Sequence, residues 1–157
     1  MNSAKVNDSL VVEYPDGFRE MSEEELRQAY QDENSTRWGV MNEEFHMVFC
    51  IYWHKGHKIY SALADSKSIN KSTQTKLSKM LENNDYKLLG YRGLVIDGVR
   101  CTSFRHTYVL QDITYISDVT TMKVGTVCYT IYCYTRQECE EANRDTLEAM
   151  LRSIKVR

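Results

Sequence analysis

Proline occurs once and glycine seven times in 157 residues, so neither a collagen-like nor a low-complexity chain fits this composition. No uncharged apolar stretch approaches the ~20 residues that span a bilayer. The opening MNSAKVNDSL lacks the apolar centre of a secretory signal. The expectation is a cytoplasmic protein with no membrane partner. The five cysteines, Cys50, Cys101, Cys128, Cys133 and Cys139, include no CxxC pair, and four of them sit in apolar or aromatic runs. Free thiols packed as small hydrophobes are expected rather than a disulfide framework. Glycine-rich phosphate loops, the G-x-S-x-G elbow and H-E-x-x-H are all missing. A net charge of -2 supplies no general positive field, which argues against nucleic acid as partner.

What is present is ordinary globular composition, 42% apolar and 27% charged, in a chain of one domain's length, read as a single domain over 1–157. The charge is polarised. Glu13 to Glu44 holds ten acidic residues against three arginines, and His54 to Lys87 holds seven lysines against three acids. Eleven tyrosines fall mostly in the second half among valine, isoleucine and threonine, residues that fit a pleated sheet.

Element by element, Leu10–Tyr14 reads as a short strand and Tyr14-Pro15-Asp16-Gly17 as a turn. Ser22-x-x-Glu25 has the form of a capping box opening a helix from Glu23 to about Asp32, with Leu26, Ala29 and Tyr30 on its inner stripe. The continuous run Phe45–Trp53 predicts an interior strand covered on both faces. Lys58–Ala64 fits a strand or the start of a helix equally well. Ser72–Asn83 predicts a second helix carrying Leu77, Met80 and Leu81. Four strands follow, Tyr86–Ile96, Val99–Leu110, Ile113–Lys123 and Thr126–Tyr134. Asp97-Gly98 is a strong hairpin turn, while Gln111-Asp112 and Gly125 are also compatible with bulges. A second capping box, Thr135-x-x-Glu138, is expected to open a helix with Cys139, Ala142, Thr146, Leu147, Met150, Leu151 and Ile154 on one face.

Few constellations suggest chemistry. His54 and His57, with His46, Glu43 and Glu44, are zinc-ligand types, but His46 lies a whole strand from His54, roughly 25 Å by strand rise, so solvated turn histidines are expected. Cys101 and His106 have opposite parity on one strand, which forbids a thiol–imidazole pair there. Lys76 and Lys79 project away from Leu77 and Leu81 and read as a solvated face. On the last strand Tyr129, Ile131 and Cys133 share one face, and Cys128, Thr130, Tyr132 and Tyr134 the other. An incompletely covered face of this kind exposes an aromatic groove suited to a partner peptide. The candidate binding surface is Trp53, His54, His57, Tyr108, Tyr132 and Tyr134.

The Tyr14-Pro15-Asp16-Gly17-Phe18 opening, the order of elements, and Met150-Leu151-x-Ser153-Ile154 at the end of the last helix together resemble the Mog1/PsbP-like superfamily. The resemblance, to an uncharacterised bacterial-type member, implies an α+β fold: a curved antiparallel sheet of about six strands with helices on both faces. It implies no shared catalytic residues, because the superfamily's known members are mostly binders, extrinsic subunits and chaperone-like adaptors. The expected function is a non-enzymatic protein-binding or adaptor module. The alternative is a small-molecule binder or minor enzyme with a pocket lined by Trp53, His46 and Tyr108. No cofactor is expected, and the expected partner is another protein, with a homodimer left open.

Overall fold

The computed structural model describes residues 1–29, 36–55 and 64–157. Within them the strands are β1 (Asn2–Lys5), β2 (Leu10–Tyr14), β3 (Arg19–Glu20), β4 (Thr36–Asn42), β5 (Met47–Lys55), β6 (Lys87–Ile96), β7 (Val99–Leu110), β8 (Ile113–Val124), β9 (Val127–Arg136) and β10 (Lys155–Val156). The α-helices among the described residues are α1 (Glu23–Ala29), α2 (Ser66–Met80) and α3 (Glu140–Arg152). Seven strands form one antiparallel sheet in the order β3-β4-β5-β9-β8-β7-β6, and β1-β2-β10 form a small second one.

The β6 to β9 meander follows from its turns. Asp97 and Gly98 both take positive φ, 47° and 80°, as a type I′ hairpin requires. Gln111 and Asp112 do the same at 50° and 63°, so this junction is a tight turn and the pairing runs straight through to Leu110 opposite Ile113. Gly125, at 60°, closes the third hairpin with Val124 opposite Val127. The bulge in this region lies instead in β6, between Leu88 and Gly90.

The apolar run expected from Phe45 is indeed central, flanked by β4 and β9, but its strand begins two residues later, at Met47. Phe45 is exposed in the preceding turn, and His46 there has φ 58°, which ends regular extension. The main sheet also exceeds the expected strands. The edge pair β3 and β4 is new, as are β1 and β10 in the small sheet; three of these four have only two to four residues, too short to show alternation.

Side-chain parity sorts two cores. On one face Phe49, Ile51, Tyr129, Ile131, Cys133 and Met122 pack beneath Leu147, Met150 and Leu151 of α3 and against Leu10 and Val12 of the small sheet. On the other face Val48, Cys50 and Tyr52 pack under Leu26 of α1. Helices therefore lie on both faces, as expected.

Helix ends depart from the sequence reading in instructive ways. The first capping box forms as drawn: the Glu25 amide donates to Ser22 Oγ at 3.2 Å and the Ser22 amide to Glu25 Oε1 at 2.9 Å. Arg19 also pairs with Glu25 and holds its carboxyl down at about 2, with the Ser22 amide adding to the effect. Tyr30 and Asp32 lie outside the described residues. Ser22→Ala is expected to cost about 1 kcal/mol, read as a lower denaturant midpoint at unchanged slope. The second box does not form. Thr135 remains in β9, where its hydroxyl donates to His46 O at 2.8 Å and accepts from Asn143 Nδ2 at 2.9 Å, and Arg136 starts a 3-10 turn, Gln137–Cys139, without a side-chain cap. Asn143 is correspondingly buried on α3, whereas Ala142, expected on the inner face, is exposed. Helix α2 begins at Ser66 rather than Ser72, capped by Asp65 Oδ1 accepting from the Ser68 amide at 2.8 Å. Residues 58–63 of the ambiguous stretch lie outside the described residues.

Candidate functional site

Helices α1 and α2 cover different parts of the same sheet face. Leu26 of α1 seats on Gly39, where an added Cβ would lie 3.1 Å from Leu26 Cδ2 and 2.9 Å from Met21 Sδ. That close approach ties α1 to β4 and β5. Helix α2 is fixed over β7 and β8 by a polar anchor, Asn70, which is fully buried and donates through Nδ2 to Val119 O at 3.0 Å and to Thr121 Oγ1 at 3.1 Å. Gln74 adds bonds to the Tyr86 and Tyr91 hydroxyls.

Between the two anchors a trough of about 330 Å³ remains over β7, β8 and β9. Its floor is aromatic because parity makes it so. Tyr108 stands opposite Tyr115, His106 opposite Ser117, and Ser117 opposite Tyr134. Tyr108 and Tyr115 stack at 5.7 Å and 23°, Tyr134 meets Tyr115 edge-on at 6.4 Å, and Tyr132 meets Tyr52 edge-on at 5.4 Å. Leu77, Met80 and Leu81 form one wall, Gln28 and Ala29 the other, and Leu110 lies at the rim. Met80 is 69% and Leu110 42% exposed, so the apolar lining continues outward.

His106 is 2% exposed, enclosed by the rings of Tyr86, Phe104 and Tyr108 at 5.1 to 5.3 Å. Its Nδ1 is buried and makes no hydrogen bond among the described residues. Burial pushes this imidazole down to about 4, far below the range of a general base at neutral pH. Burial likewise raises the Tyr108 and Tyr134 phenols above their ordinary value. The lining contains no Asp, Glu, Lys or Arg among the described residues. An uncharged aromatic surface results, with Tyr108, Tyr115 and Tyr134 carrying hydroxyls that make no hydrogen bond among those residues.

The six residues expected to form one surface divide. Tyr108, Tyr132 and Tyr134 meet in the trough. Trp53 does not: it has the parity of Phe49 and Ile51 and packs on Tyr129, 6.1 Å away, on the opposite face. His54 is exposed at the far end of β5, and His57 lies outside the described residues. The alternative pocket of Trp53, His46 and Tyr108 therefore does not assemble, since only Tyr108 is in the trough and His46 is in the turn before β5. His46 lies in the turn just before β5 and His54 near the strand's far end, and among the described residues no three metal-ligating side chains cluster. Sequence reasoning missed His106 and Tyr115. Parity was the available signal, since His106 shares that of Tyr108.

Four of the five thiols, Cys50, Cys101, Cys128 and Cys133, are buried, and burial holds them in the protonated, unreactive form. Cys101 and His106 do face opposite sides of the sheet. Burial pushes Cys50 up to about 12 and Cys101 to about 11. A second cleft, beneath α3, holds only about 30 Å³ and is walled by an ion-pair network. Arg105 binds Asp118 bidentately at 2.9 and 3.0 Å and Glu140 at 3.3 Å, while Arg144 pairs with Glu140 and both Arg92 and Arg152 with Glu148. That network pins α3 to β6, β7 and β8. Lys71, Lys76 and Lys79 are exposed on the outer side of α2, the solvated face expected. No helix among the described residues is long and apolar enough to cross a membrane.

No protein-family model matches the sequence, and no curated protein does. Solved structures do. PsbP of the cyanobacterium Synechocystis sp. PCC 6803 superposes with a TM-score of 0.70 at 8% identity, over 94% of this chain and 86% of its own. A Pseudomonas aeruginosa protein of unknown function, a putative regulator, gives 0.60 at 10% identity over 98% and 94%. LpqN, involved in cell envelope biogenesis of Mycobacterium tuberculosis, gives 0.56 at 10% identity over 94% and 82%. Identities this low carry architecture and not activity. The likeness extends over most of each chain, and the chain has the PsbP/Mog1-like α+β fold.

Proposed function

We propose that the chain is a non-enzymatic binding module whose trough between α1 and α2 receives a short apolar segment of another protein. The observation that carries this reading is the trough itself: tyrosine rings and aliphatic side chains with no charged group among the described residues, continuing onto the exposed Met80 and Leu110 at its rim. Tyrosines suit such a role, because a rigid ring offers apolar area at small entropic cost and its hydroxyl bonds the incoming backbone. An apolar side chain seated on Tyr108, Tyr115 and Tyr134 while main-chain groups meet their hydroxyls is the expected mode. A volume of about 330 Å³ is also that of a small-ligand site, which keeps a compact aromatic metabolite as the second reading.

Selection from a random peptide library against the wild type, with counter-selection on Met80→Glu, separates these readings. Met80 is exposed, so the charge should leave the fold intact while placing a carboxylate on the rim. Enriched peptides should share an aromatic or long aliphatic residue, and their affinity should fall about tenfold or more on the variant. Peptides that bind both proteins equally would remove the trough as the docking site. Failure to enrich any peptide, with a small aromatic compound raising the melting midpoint of the wild type alone, would establish the second reading.

A further inference from the structure

The two ends of the main sheet are finished differently. At one end β3 has only two residues, a short edge of the kind that discourages strand addition. At the other, β6 runs for ten residues and pairs with no strand on its outer side among the described residues. Tyr91 is 47% and Val95 54% exposed on this edge strand. We propose that β6 is a self-association edge, pairing antiparallel with β6 of a second copy of this chain about a two-fold axis at Gly93.

Register decides which backbone groups are available. Ile96 and Val99 close the two-residue turn and so exchange both of their hydrogen bonds. Alternation then directs Leu94 and Arg92 inward to β7, and Val95, Gly93 and Tyr91 outward. Val95 O is seen facing out: it accepts from the Arg152 side chain at 3.3 Å, a weak contact that a carbonyl with two lone pairs can share or give up. The bulge between Leu88 and Gly90 ends regular extension on one side, and the turn at Asp97 ends it on the other. The outward set is thus symmetric about Gly93. A two-fold axis there sets Tyr91 opposite the second copy's Val95, Gly93 opposite Gly93 and Val95 opposite Tyr91, about six backbone bonds in all. Aromatic and β-branched residues directly opposite one another are a favourable cross-strand pair.

A second copy fits this edge better than an unlike strand because the apolar partners are already in the sequence at matching offsets. Charge does not oppose it. Lys87 lies beyond the paired segment, and Arg92 is bound within its own chain by Glu148 at 3.0 and 2.7 Å. The pairing is independent of the trough, which lies between the helices on a different part of the sheet.

Light scattering on the eluting protein over a range of concentrations tests the proposal with Gly93→Lys and Gly93→Glu. Among the described residues a Cβ at Gly93 meets nothing nearer than Cys101 O at 4.0 Å, so both variants should fold with unchanged melting behaviour. The wild type should show twice the 18.4 kDa chain mass, and each variant alone the single mass, because like charges then stand directly opposite across the axis. Mixing the two variants in equal amounts should recover the double mass. A wild type that stays at the single mass throughout, a lysine variant that associates as the wild type does, or a mixture that stays monomeric would each overturn the assignment.

Discussion

Phe49→Ala should cost about 3–5 kcal/mol, the largest stability loss expected of any single truncation in the central strand. Phe49 has no exposed surface and stands on β5 between Val40 of β4 and Cys133 of β9. Its ring fills the layer between the main sheet and α3, where Ile51, Ile131, Met150 and Leu151 are equally buried. These neighbours come from four elements that hold one another in place, so the space left by the ring cannot close by one side chain's rearrangement, and the cavity term adds to the lost transfer energy. Domains of this size are stable by only about 5–15 kcal/mol, so the variant should unfold at much lower denaturant. Phe45→Ala supplies the control within the same apolar run. Phe45 is 53% exposed in the turn, and its truncation should change stability by no more than about 0.5 kcal/mol. Equal effects of the two substitutions in urea unfolding would mean that the strand does not begin at Met47.

The difference between these two phenylalanines shows where the sequence was legible. A nine-residue apolar run announces an interior strand, yet nothing in its composition separates the residue that turns at its start from the one at its centre. The meander of β6 to β9 was legible because its turns are chemical: Asp97-Gly98 takes positive φ at low cost, and alternation then fixes every face. Strand β4 was not. Thr36-Arg37-Trp38-Gly39-Val40-Met41-Asn42 puts a glycine at its middle, and that glycine makes sense only once Leu26 and Met21 are seen pressing onto it. Helix α2 hid its first turns for a different reason. Its inward residue there is Asn70, fixed to the sheet by hydrogen bonds, and hydrophobic periodicity does not register a polar anchor. The same holds for Asn143 of α3.

The trough was half legible on the same grounds. Parity placed Tyr132 and Tyr134 together, and applied to β7 it also places His106 beside Tyr108. Applied to β5 it sets Trp53 apart, on the face of Phe49 and Ile51. What parity does not supply is the gap between α1 and α2. That gap is set by where two helices are anchored, by Leu26 on Gly39 and by Asn70 on Val119 and Thr121, and these contacts join residues far apart in the chain.

His106 should give the protein an acid sensitivity that one substitution removes. Its imidazole is held at about 4 in the fold against an ordinary 6.5, through burial among Tyr86, Phe104 and Tyr108. Between those two values the unfolded chain takes up a proton that the folded chain refuses. The stabilising contribution is therefore complete above pH 6.5 and is lost as the pH falls through 4, about 3 kcal/mol in all. The lowered carboxyls, Glu25, Asp65, Glu140 and Glu148, begin to lose their own contributions only as the pH falls through the ordinary carboxylate range, so the interval from about 6.5 down to 4.5 reports chiefly on histidine. His106→Phe keeps an aromatic ring against the same neighbours and removes a buried Nδ1 that has no partner among the described residues, so its stability at pH 7 should be close to that of the wild type. Urea midpoints measured across this interval should fall for the wild type and stay nearly level for the variant. Parallel curves would mean that His106 protonates as freely in the folded protein as in the unfolded one, and that water reaches the floor of the trough.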